Sequence, residues 1–406
     1  MDLVLYPGRL KGAVTPPPSK SQAHRAAIAA ALAKGRSKVY PFARSEDIVA
    51  TLSAMETLGA RFDPVQSVIE GIAEPKKGLP VLDCGESGST LRFLLPVALA
   101  LCGGGSFRGR GRLMERPQEP YLQIFREQGM VYSRSPGRFA VQGTLNPGVF
   151  RLRGDVSSQF VSGLLFALPL LPRDSEIVLT TPLESRAYVS LTLSTLSAFG
   201  IQVENQDFSR FAVPGAQAYH PGEVRIESDY SQAAFFAVAN ALGSGVAILG
   251  LRKESAQGDK AIFDIIRQLS SPGSQEVDVS QCPDLAPAAA LLAALRDGEE
   301  TFIVNAARLR AKESDRLRSI ACQLNRLGAK VEEREDFLRI AGVSVLRGGA
   351  ADSCGDHRIA MMLAIAATRS AEPVFLAGAE CVRKSYPDFW KEYADLGGRM
   401  ESCPER

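Results

Sequence analysis

Residues 19–35, SKSQAHRAAIAAALAKG, decide the fold of this chain. The stretch opens on a Ser, which favours a helix N-cap, continues through helix-forming alanines and reaches Gly35, a common stop signal. A helix that is apolar on all sides is predicted to be buried. Its polar residues, including Lys20 and Arg25, crowd at the N-terminus, where free N–H groups and the helix dipole favour anions. A capped core helix would explain this stretch alone, so an anion site is indicated only if the design recurs.

Length and composition limit the class of protein. A chain of 406 residues predicts two domains, and 45% hydrophobic with 23% charged residues indicates a globular protein. The net charge of +2 gives no case for nucleic acid or membrane binding, so neither is expected as a partner. The opening residues do not form a signal peptide, and the apolar run at 160–171 is too short to span a bilayer. Seven scattered cysteines without a CxxC pair predict reduced thiols in a cytoplasmic protein, with no zinc site.

The design of the first stretch recurs along the whole chain. Segments with a polar start and an apolar body cover residues 19–35, 87–102, 157–171, 229–243, 284–295 and 357–367. Their markers Ser21, Ser89, Ser157, Ser231, Asp284 and His357 are spaced by 68, 68, 74, 53 and 73 residues. A second series consists of amphipathic helices that end near a glycine and precede a strand-like run, with a degenerate copy at 265–279. Its glycines are Gly59, Gly129, Gly200, Gly273, Gly328 and Gly397.

The two interleaved series predict an α/β fold of two domains, each made of three repeated α/β units. Within a domain the three buried helices should pack together in parallel, with amphipathic helices and sheets outside. Their polar N-termini would then lie on one face. Two such faces would line a cleft suited to a polyanion.

Several local motifs in the first half could serve such a site. Gly88 lies in a Gly/Ser-rich loop, where a ligand can approach the backbone and Ser89 can cap a helix. The loop is not a Walker motif, because no Gly-Lys-Ser/Thr follows. Arg116 precedes a proline that could aim its guanidinium at a phosphate or carboxylate. Residues 157–159, Ser-Ser-Gln, open an apolar helix with more hydrogen-bonding groups than a cap needs. The segment from Ser185 says little alone.

The second half contributes charged groups. Asp229 and Asp284 begin buried helices, a position at which an Asp is more often a structural N-cap than a functional group. In residues 308–318, helical spacing would place Lys312 and Arg316 on one face, with Glu313 near Arg316. The plain alternative is a salt-bridged surface turn. The final charged groups are Asp356, His357 and Arg358, which open the last buried helix, and Lys384.

Nine motifs in order carry a resemblance that covers nearly the whole chain. They are SKSQAHR, CGESGSTLRF, ERPQEPY, GDVSSQF, SRAY, PDLAP, AKESDRLR, GDHRIAMM and RKSYPDF. Together they resemble the 5-enolpyruvylshikimate-3-phosphate (EPSP) synthase family. The resemblance implies the inside-out barrel of enolpyruvyl transferases, with residues 1–15 plus 228–406 in one domain and 16–227 in the other. It places the active site in the cleft between the domains.

The family transfers the enolpyruvyl group of phosphoenolpyruvate to the 5-hydroxyl of shikimate 3-phosphate and releases phosphate, in the shikimate pathway of aromatic amino-acid biosynthesis. The resemblance implies three catalytic residues, with Asp284 as base, Glu313 as acid and Lys20 between the two substrates. The residues implied for shikimate 3-phosphate are Lys20, Ser21, Arg25, Ser157, Ser158, Gln159, Ser185, Asp284 and Lys312. Those implied for phosphoenolpyruvate are Lys20, Gly88, Arg116, Gln159, Arg316, Arg358 and Lys384. No metal or other cofactor is implied, and we expect a monomer.

The chain departs from the family pattern in two places. Many members have Asn-Ala-Gly-Thr and a later Arg-Pro, where residues 86–89 here read Glu-Ser-Gly-Ser and residues 92–93 read Arg-Phe. These changes bear on the loop that binds phosphonate inhibitors such as glyphosate. Arg308 stands where an asparagine is expected.

Two other functions fit parts of the pattern. One is the enolpyruvyl transferase that acts on UDP-N-acetylglucosamine. That family uses a cysteine in the loop corresponding to residues 105–120, and this chain has none there. The other is a non-catalytic protein that binds anions or RNA ends on a related repeat fold. It would explain the cations but not the pair of Asp284 and Glu313.

Overall fold

The computed structural model describes residues 1–42, 44–76 and 78–403. Its contacts divide the chain into two compact units, Met1–Pro17 with Ser228–Arg406 (unit 1) and Pro18–Glu227 (unit 2). Each unit has its own hydrophobic core.

The helices are of two kinds that alternate along the chain, one buried in a core and one amphipathic. In chain order they are α1 Lys20–Leu32, α2 Glu46–Leu58, α3 Gly88–Cys102, α4 Glu119–Glu127, α5 Ser158–Ala167, α6 Arg186–Ala198, α7 Tyr230–Ala241, α8 Ile262–Leu269, α9 Ala286–Ala294, α10 Arg316–Arg326, α11 His357–Ala367 and α12 Phe389–Asp395. Short 3₁₀ turns lie at Leu113–Glu115, Leu168–Leu170, Gly258–Ala261, Pro283–Leu285, Ala307–Ala311 and Ala379–Lys384.

The strands are short and lie between these helices. They are β1 Leu3–Leu5, β2 Lys11–Val14, β3 Arg36–Tyr40, β4 Arg61–Asp63, β5 Val68–Glu70, β6 Val81–Asp83, β7 Gly104–Arg108, β8 Val131–Ser135, β9 Arg138–Gln142, β10 Val149–Leu152, β11 Ser175–Leu179, β12 Glu204–Gln206, β13 Arg210–Val213, β14 Glu223–Arg225, β15 Gly245–Ile248, β16 Gln275–Asp278, β17 Glu300–Val304, β18 Lys330–Glu333, β19 Leu338–Ala341, β20 Gly349–Asp352, β21 Val374–Ala377 and β22 Met400–Ser402.

The sheets repeat one four-stranded pattern. Unit 2 has the orders β14-β3-β5-β4, β6-β7-β9-β8 and β10-β11-β13-β12, and unit 1 has β16-β17-β19-β18 and β20-β21-β1-β22. In each sheet the first two strands are parallel and the remaining pairs are antiparallel. In four of these sheets a core helix connects the two parallel strands, whereas in β14-β3-β5-β4 the core helix α1 precedes β3 and β14 comes from the end of unit 2. After the second strand of each sheet an amphipathic helix leads to the antiparallel strands. The N-terminal strand β1 completes the sheet of the last repeat, pairing with β21 and β22.

The six predicted core helices are confirmed. Every residue from Ala23 to Leu32 of α1 is buried, as is every residue of α9 and α11. Because these helices have no exposed side, their charged residues lie towards their ends. The amphipathic series is also confirmed, since each of its helices contributes one buried face, such as Leu317, Ile320 and Leu324 of α10.

The copy that looked degenerate in the sequence is structurally incomplete. The first repeat of unit 1 contains a two-stranded parallel sheet, β15-β2, and α8 leads directly to β16 of the next repeat. No hairpin follows α8 in this part of the described chain. The missing hairpin accounts for the short step of 53 residues between the markers Ser231 and Asp284.

Three local predictions at helix starts need correction. Ser19 precedes α1, but its side chain makes no capping hydrogen bond. Ser87, not Ser89, caps α3, accepting a hydrogen bond from the Thr90 N–H. Lys312 and Arg316 do not share a helix, because Lys312 ends a 3₁₀ turn and α10 begins at Arg316. Asp229 does cap α7, as predicted.

None of the helices in the described residues is both long enough and apolar enough to cross a membrane.

One glycine contact recurs in both units. Gly71 follows β5, and its N–H donates to the Gly35 carbonyl at 2.8 Å. A Cβ at Gly71 would lie 1.7 Å from the Ala33 carbonyl oxygen. Gly342 follows β19, and a Cβ there would lie 1.7 Å from the Arg296 carbonyl oxygen. The end of the sheet therefore packs against the end of a core helix at a distance that only glycine allows.

We predict that Gly71→Ala and Gly342→Ala each lower the free energy of unfolding by about 3 kcal/mol or more, because the clashing atoms are backbone. The measurement is the urea midpoint by far-ultraviolet circular dichroism. Gly8→Ala is the matched control, since nothing lies within 4 Å of the added Cβ. A midpoint for either variant equal to that of Gly8→Ala would contradict this packing.

Candidate active site

A buried guanidinium organises the charged groups of unit 1. Arg316, at the start of α10, is 1% exposed and contacts three carboxylates. Its Nε donates to Asp356 at 2.8 Å, its Nη1 donates to Asp284 at 2.8 Å, and its Nη2 donates to Glu313 and Asp356. Burial alone would lower the pKa of Arg316. The three carboxylates outweigh this effect and raise the pKa above its usual range. The side chain is therefore a fixed cation.

Asp284 accepts hydrogen bonds from three cations. It lies in the 3₁₀ turn that leads into α9, and Leu285 rather than Asp284 is the N-cap. Its Oδ1 lies 3.3 Å from Lys312 Nζ, in addition to the Arg316 contact, and its Oδ2 accepts from Arg358 Nη2 at 2.9 Å. The N-terminal ends of α9 and α11 thus meet through an ion pair between a buried guanidinium and a partly buried carboxylate.

The pKa of Asp284 reflects opposing effects. Burial alone would raise it, but the positive charges of Arg358, Lys312 and Arg316 hold it well below its usual range. Burial lowers the pKa of Lys312, although the charge of Asp284 opposes this. Asp284 is consequently ionised at neutral pH.

A second buried carboxyl lies near this cluster. Asp259 accepts a hydrogen bond from Ser231 at the start of α7. Burial and the negative charge of Asp284 raise the pKa of Asp259 to about 6. The two aspartates therefore have pKa values displaced in opposite directions.

Asp356 and Lys384 complete the unit 1 cluster. Asp356 is fully buried, caps α11 by accepting from the Arg358 N–H at 2.9 Å, and accepts from the Ser314 hydroxyl at 3.2 Å. Lys384 donates to the Gly355 carbonyl at 2.8 Å. The turn before α11 thus accepts a hydrogen bond from Lys384 at Gly355 and binds Arg316 through Asp356.

In unit 2 the first turn of α1 contacts two neighbouring helices. Lys20 Nζ lies 2.8 Å from the carboxylate of Asp47, in the first turn of α2. Arg25 is 2% exposed; it donates from Nε to Thr192 of α6 at 2.8 Å and from Nη1 to the Ser21 carbonyl at 2.7 Å. Burial lowers the pKa of Arg25 to about 10, which still leaves it charged at neutral pH.

The Gly88 turn faces a cluster of amide and guanidinium groups. Gln159 of α5 donates to Ser89 Oγ at 3.0 Å and accepts from Arg92 Nη1 at 2.8 Å. Arg92 Nη2 also donates to the Pro117 carbonyl at 2.9 Å, beside Arg116. A Cβ at Gly88 would lie 2.9 Å from Arg116 Nη1 and 3.5 Å from Gln159 Oε1.

The remaining predicted residues also lie at helix starts in unit 2. Ser157 caps α5 by accepting from the Gln159 N–H at 3.3 Å, and Ser158 is 5% exposed. Ser185 precedes α6 with a left-handed backbone, φ +58°. A non-glycine residue rarely adopts this conformation, which is typical of functional turns.

The predicted residues thus form separate groups within each unit. Unit 1 brings together Asp284, Lys312, Glu313, Arg316 and Arg358. Unit 2 brings together Gly88, Arg116 and Gln159, and places Lys20 and Arg25 within the first two turns of α1. Within the described residues, no group of three or more His, Cys, Asp or Glu side chains is suited to hold a metal ion.

Sequence reasoning missed the partners of these residues. It did not select Asp47, the partner of Lys20, and it treated Asp356 only as the opening of a helix. The sequence did carry one signal for Asp356. It is an Asp directly before the buried helix that begins at His357, and Asp is a preferred N-cap residue. Asp47 and Thr192 carried none, because helices distant in sequence bring them to Lys20 and Arg25.

Chemically, the unit 1 cluster combines a carboxylate pair with fixed cations. Asp284 is ionised and can accept a proton, and Glu313 lies in the same network. The surrounding cations and helix N-termini favour phosphate and carboxylate groups. Such an arrangement suits acid–base chemistry on an anionic substrate.

Comparisons with known proteins point to one family. The family model described as EPSP synthase (3-phosphoshikimate 1-carboxyvinyltransferase) matches residues 4–393. Proteins named 3-phosphoshikimate 1-carboxyvinyltransferase include one from Clostridium botulinum (strain Eklund 17B / Type B), 47% identical over 98% of this chain and 97% of that protein. Another, from Clostridioides difficile (strain 630), is 43% identical over 98% of each chain.

A solved structure agrees with this assignment. EPSP synthase from Acinetobacter baumannii has a TM-score of 0.79 and 25% sequence identity, covering 98% of this chain and 99% of that one. The predicted α/β fold of repeated units is confirmed by this similarity and by the repeats described above. The chain therefore belongs to the EPSP synthase (3-phosphoshikimate 1-carboxyvinyltransferase) family and is an enzyme of this type.

Proposed function

We propose that the chain transfers the enolpyruvyl group of phosphoenolpyruvate to the 5-hydroxyl of shikimate 3-phosphate, with Asp284 as base and Glu313 as acid. The observation that carries the residue assignment is the contact of Asp284 with Lys312, Arg316 and Arg358 in a network that includes Glu313. Family membership supports the reaction itself.

The proposed reaction requires one proton to be removed and one to be added. Asp284 accepts the proton of the 5-hydroxyl while the oxygen of that hydroxyl bonds to C2 of phosphoenolpyruvate, and Glu313 protonates the methylene carbon. Because the product again carries a methylene group, one of the three methyl protons must return to the Glu313 carboxylate as the C–O bond to phosphate breaks, and the proton held by Asp284 leaves with the phosphate. The net result is one new C–O bond and one released phosphate.

The ion pairs of Asp284 suggest how substrate makes it a better base. While Lys312, Arg316 and Arg358 surround it, its low pKa makes it a weak proton acceptor. Phosphate and carboxylate groups of the substrates compete for the same cations. As these cations turn to the substrates, the pKa of Asp284 rises, so its basicity develops when there is a proton to remove.

We assign the other predicted residues to substrate binding. Lys20, Ser21, Arg25, Ser157, Ser158, Gln159 and Ser185 belong to unit 2 and are proposed to hold shikimate 3-phosphate, with Asp284 and Lys312. Gly88, Arg116, Arg316, Arg358 and Lys384, with Lys20 and Gln159, are proposed to hold phosphoenolpyruvate. The proposal requires residues of both units to act on the same pair of substrates.

The proposed reaction predicts phosphate release only when both substrates are present. The measurement is a coupled phosphate assay with each substrate alone, with both, and with UDP-N-acetylglucosamine replacing shikimate 3-phosphate. Release with UDP-N-acetylglucosamine, and none with shikimate 3-phosphate, would contradict the proposed acceptor.

For the carboxylates, we predict that Asp284→Asn and Glu313→Gln each lower kcat by roughly 10²-fold or more. The KM values should change little or fall in Asp284→Asn, because its cations stay available to the anionic substrates. Asp297→Asn, at an exposed turn after α9, is the control and should keep full activity. Near-normal kcat with an unchanged circular dichroism spectrum would remove that residue from its proposed role.

For the Gly88 turn, we predict that Gly88→Ala raises KM for phosphoenolpyruvate roughly tenfold, because the new methyl group must displace the Arg116 guanidinium. KM for shikimate 3-phosphate should stay unchanged, and Ki for glyphosate should rise at least as much as KM for phosphoenolpyruvate. Gly245→Ala is the control, since its Cβ would meet nothing within 4 Å. Equal increases in both KM values would show that Gly88 serves the fold.

A further inference from the structure

We propose that four buried side chains, His24, Thr51, Thr90 and Ser87, form a directional hydrogen-bond chain that positions the Gly88 turn. Thr51 and Thr90 would then be positioning residues for phosphoenolpyruvate, acting through the turn without touching substrate. The inference rests on the proposed function, which places phosphoenolpyruvate at Gly88. It adds residues that no motif singled out.

The hydrogen-bond chain connects three helices of unit 2. His24 Nδ1 of α1 lies 2.7 Å from Thr51 Oγ1 of α2, and Thr51 Oγ1 lies 2.6 Å from Thr90 Oγ1 of α3. Thr90 Oγ1 donates to Ser87 Oγ at 2.7 Å. All four residues are 0–1% exposed, so water does not compete for these bonds.

The direction of the chain follows from one hydrogen per hydroxyl. Thr90 gives its hydrogen to Ser87 Oγ, so it must accept from Thr51. Thr51 then has no hydrogen left for the imidazole and must accept from His24 Nδ1. His24 is therefore assigned as the Nδ1–H tautomer.

The surroundings of His24 agree with a neutral ring. Burial, together with the positive charges of Lys20 and Arg25, lowers its pKa well below the usual 6.5. Within the described part of the chain, its Nε2 is buried without a hydrogen-bond partner. A lone pair there costs less than an unsatisfied N–H, which favours the same tautomer.

The chain lies beside the proposed catalytic lysine. Lys20 and His24 are one turn apart on α1, as are their partners Asp47 and Thr51 on α2. The ion pair and the first bond of the chain are thus successive cross-links between the same two helices. Any shift of α2 against α1 would disturb both together.

The other end of the chain fixes the turn itself. Ser87 Oγ also accepts from the Thr90 N–H at 3.1 Å, which makes it the cap of α3, and Gly88 follows directly. Gln159 holds Ser89 on the other side of Gly88. Ser87 stands where many family members have alanine, so this end of the chain is not carried over from the resemblance.

The first experiment replaces the central hydroxyl. We expect Thr51→Val to raise KM for phosphoenolpyruvate roughly tenfold while KM for shikimate 3-phosphate changes less than twofold, because small displacements of a binding turn weaken the contacts made there. Thr51→Ser restores the hydroxyl and should restore KM. Thr90→Val should match Thr51→Val, and the double variant should cost no more than either alone, because both break the same chain.

A matched control separates positioning from stability. Thr301 is fully buried in unit 1 and accepts a hydrogen bond from Arg296 at 2.7 Å. Thr301→Val therefore removes a comparable buried hydroxyl elsewhere, and should leave both KM values unchanged. If Thr51→Val and Thr90→Val raise both KM values equally, or neither, the positioning role is overturned.

A second measurement does not depend on kinetics. The protein has three histidines, so ¹⁵N nuclear magnetic resonance of the histidine-labelled protein can determine the tautomer of His24. The His24 signals are assigned by their absence from the spectrum of His24→Asn. We expect a neutral Nδ1–H ring at pH 6 and pH 8. An Nε2–H ring or a charged ring would overturn the proposed direction of the hydrogen-bond chain, even if Thr51→Val fails to fold. Absence of phosphate release by the unmutated protein would instead reject the proposed function, so the two failures are distinct.

Discussion

The structure depends on one constraint, the burial of core helices that have no polar side. The residues of α1 after its first turn are enclosed, and α9 and α11 are enclosed over their whole length. Burying a charge mid-helix without a partner is costly, so the charged groups lie towards the N-terminal ends, and a hydroxyl inside a core helix, that of Ser162 in α5, is hydrogen-bonded to Thr192. Those ends also carry the free N–H groups and the positive end of the helix dipole. The packing that stabilises each unit therefore also concentrates its anion-binding groups.

Because the charged groups lie at helix ends, several of them come close together. They are stabilised by networks of ion pairs and hydrogen bonds. Arg316 is almost fully buried and stays charged because Asp284, Glu313 and Asp356 surround it. Removing one partner of such a pair is expensive, because it leaves an uncompensated buried charge. In unit 2, Lys20 is paired with Asp47, whereas Arg25 is held by a hydroxyl and a carbonyl. The networks thus fix cations at the helix ends, where the proposed function has the anionic substrates take over part of their contacts.

Repetition explains both the regularity of the fold and its exception. The same set of elements recurs because a single repeat can bury its apolar helix only against neighbouring repeats. The set consists of a parallel strand pair, a core helix, an amphipathic helix and a hairpin. The first repeat of unit 1 lacks the hairpin, yet its core helix α7 has 10 buried residues, within the range of 9 to 11 found in the other core helices. The hairpin is therefore dispensable for enclosing a core helix, while the helix itself is present in every repeat.

The sequence by itself determined the repeated elements and the helix ends that carry charge. Local composition was sufficient, because alanine-rich runs, caps and glycine stops act within one helix. The tertiary structure decided which side chains meet. Asp47 reaches Lys20, Asp356 reaches Arg316, and Thr51 connects His24 to Thr90 across helices distant in sequence. No periodicity records such contacts, since they depend on how the helices pack, and that packing also sets the pKa of Asp284.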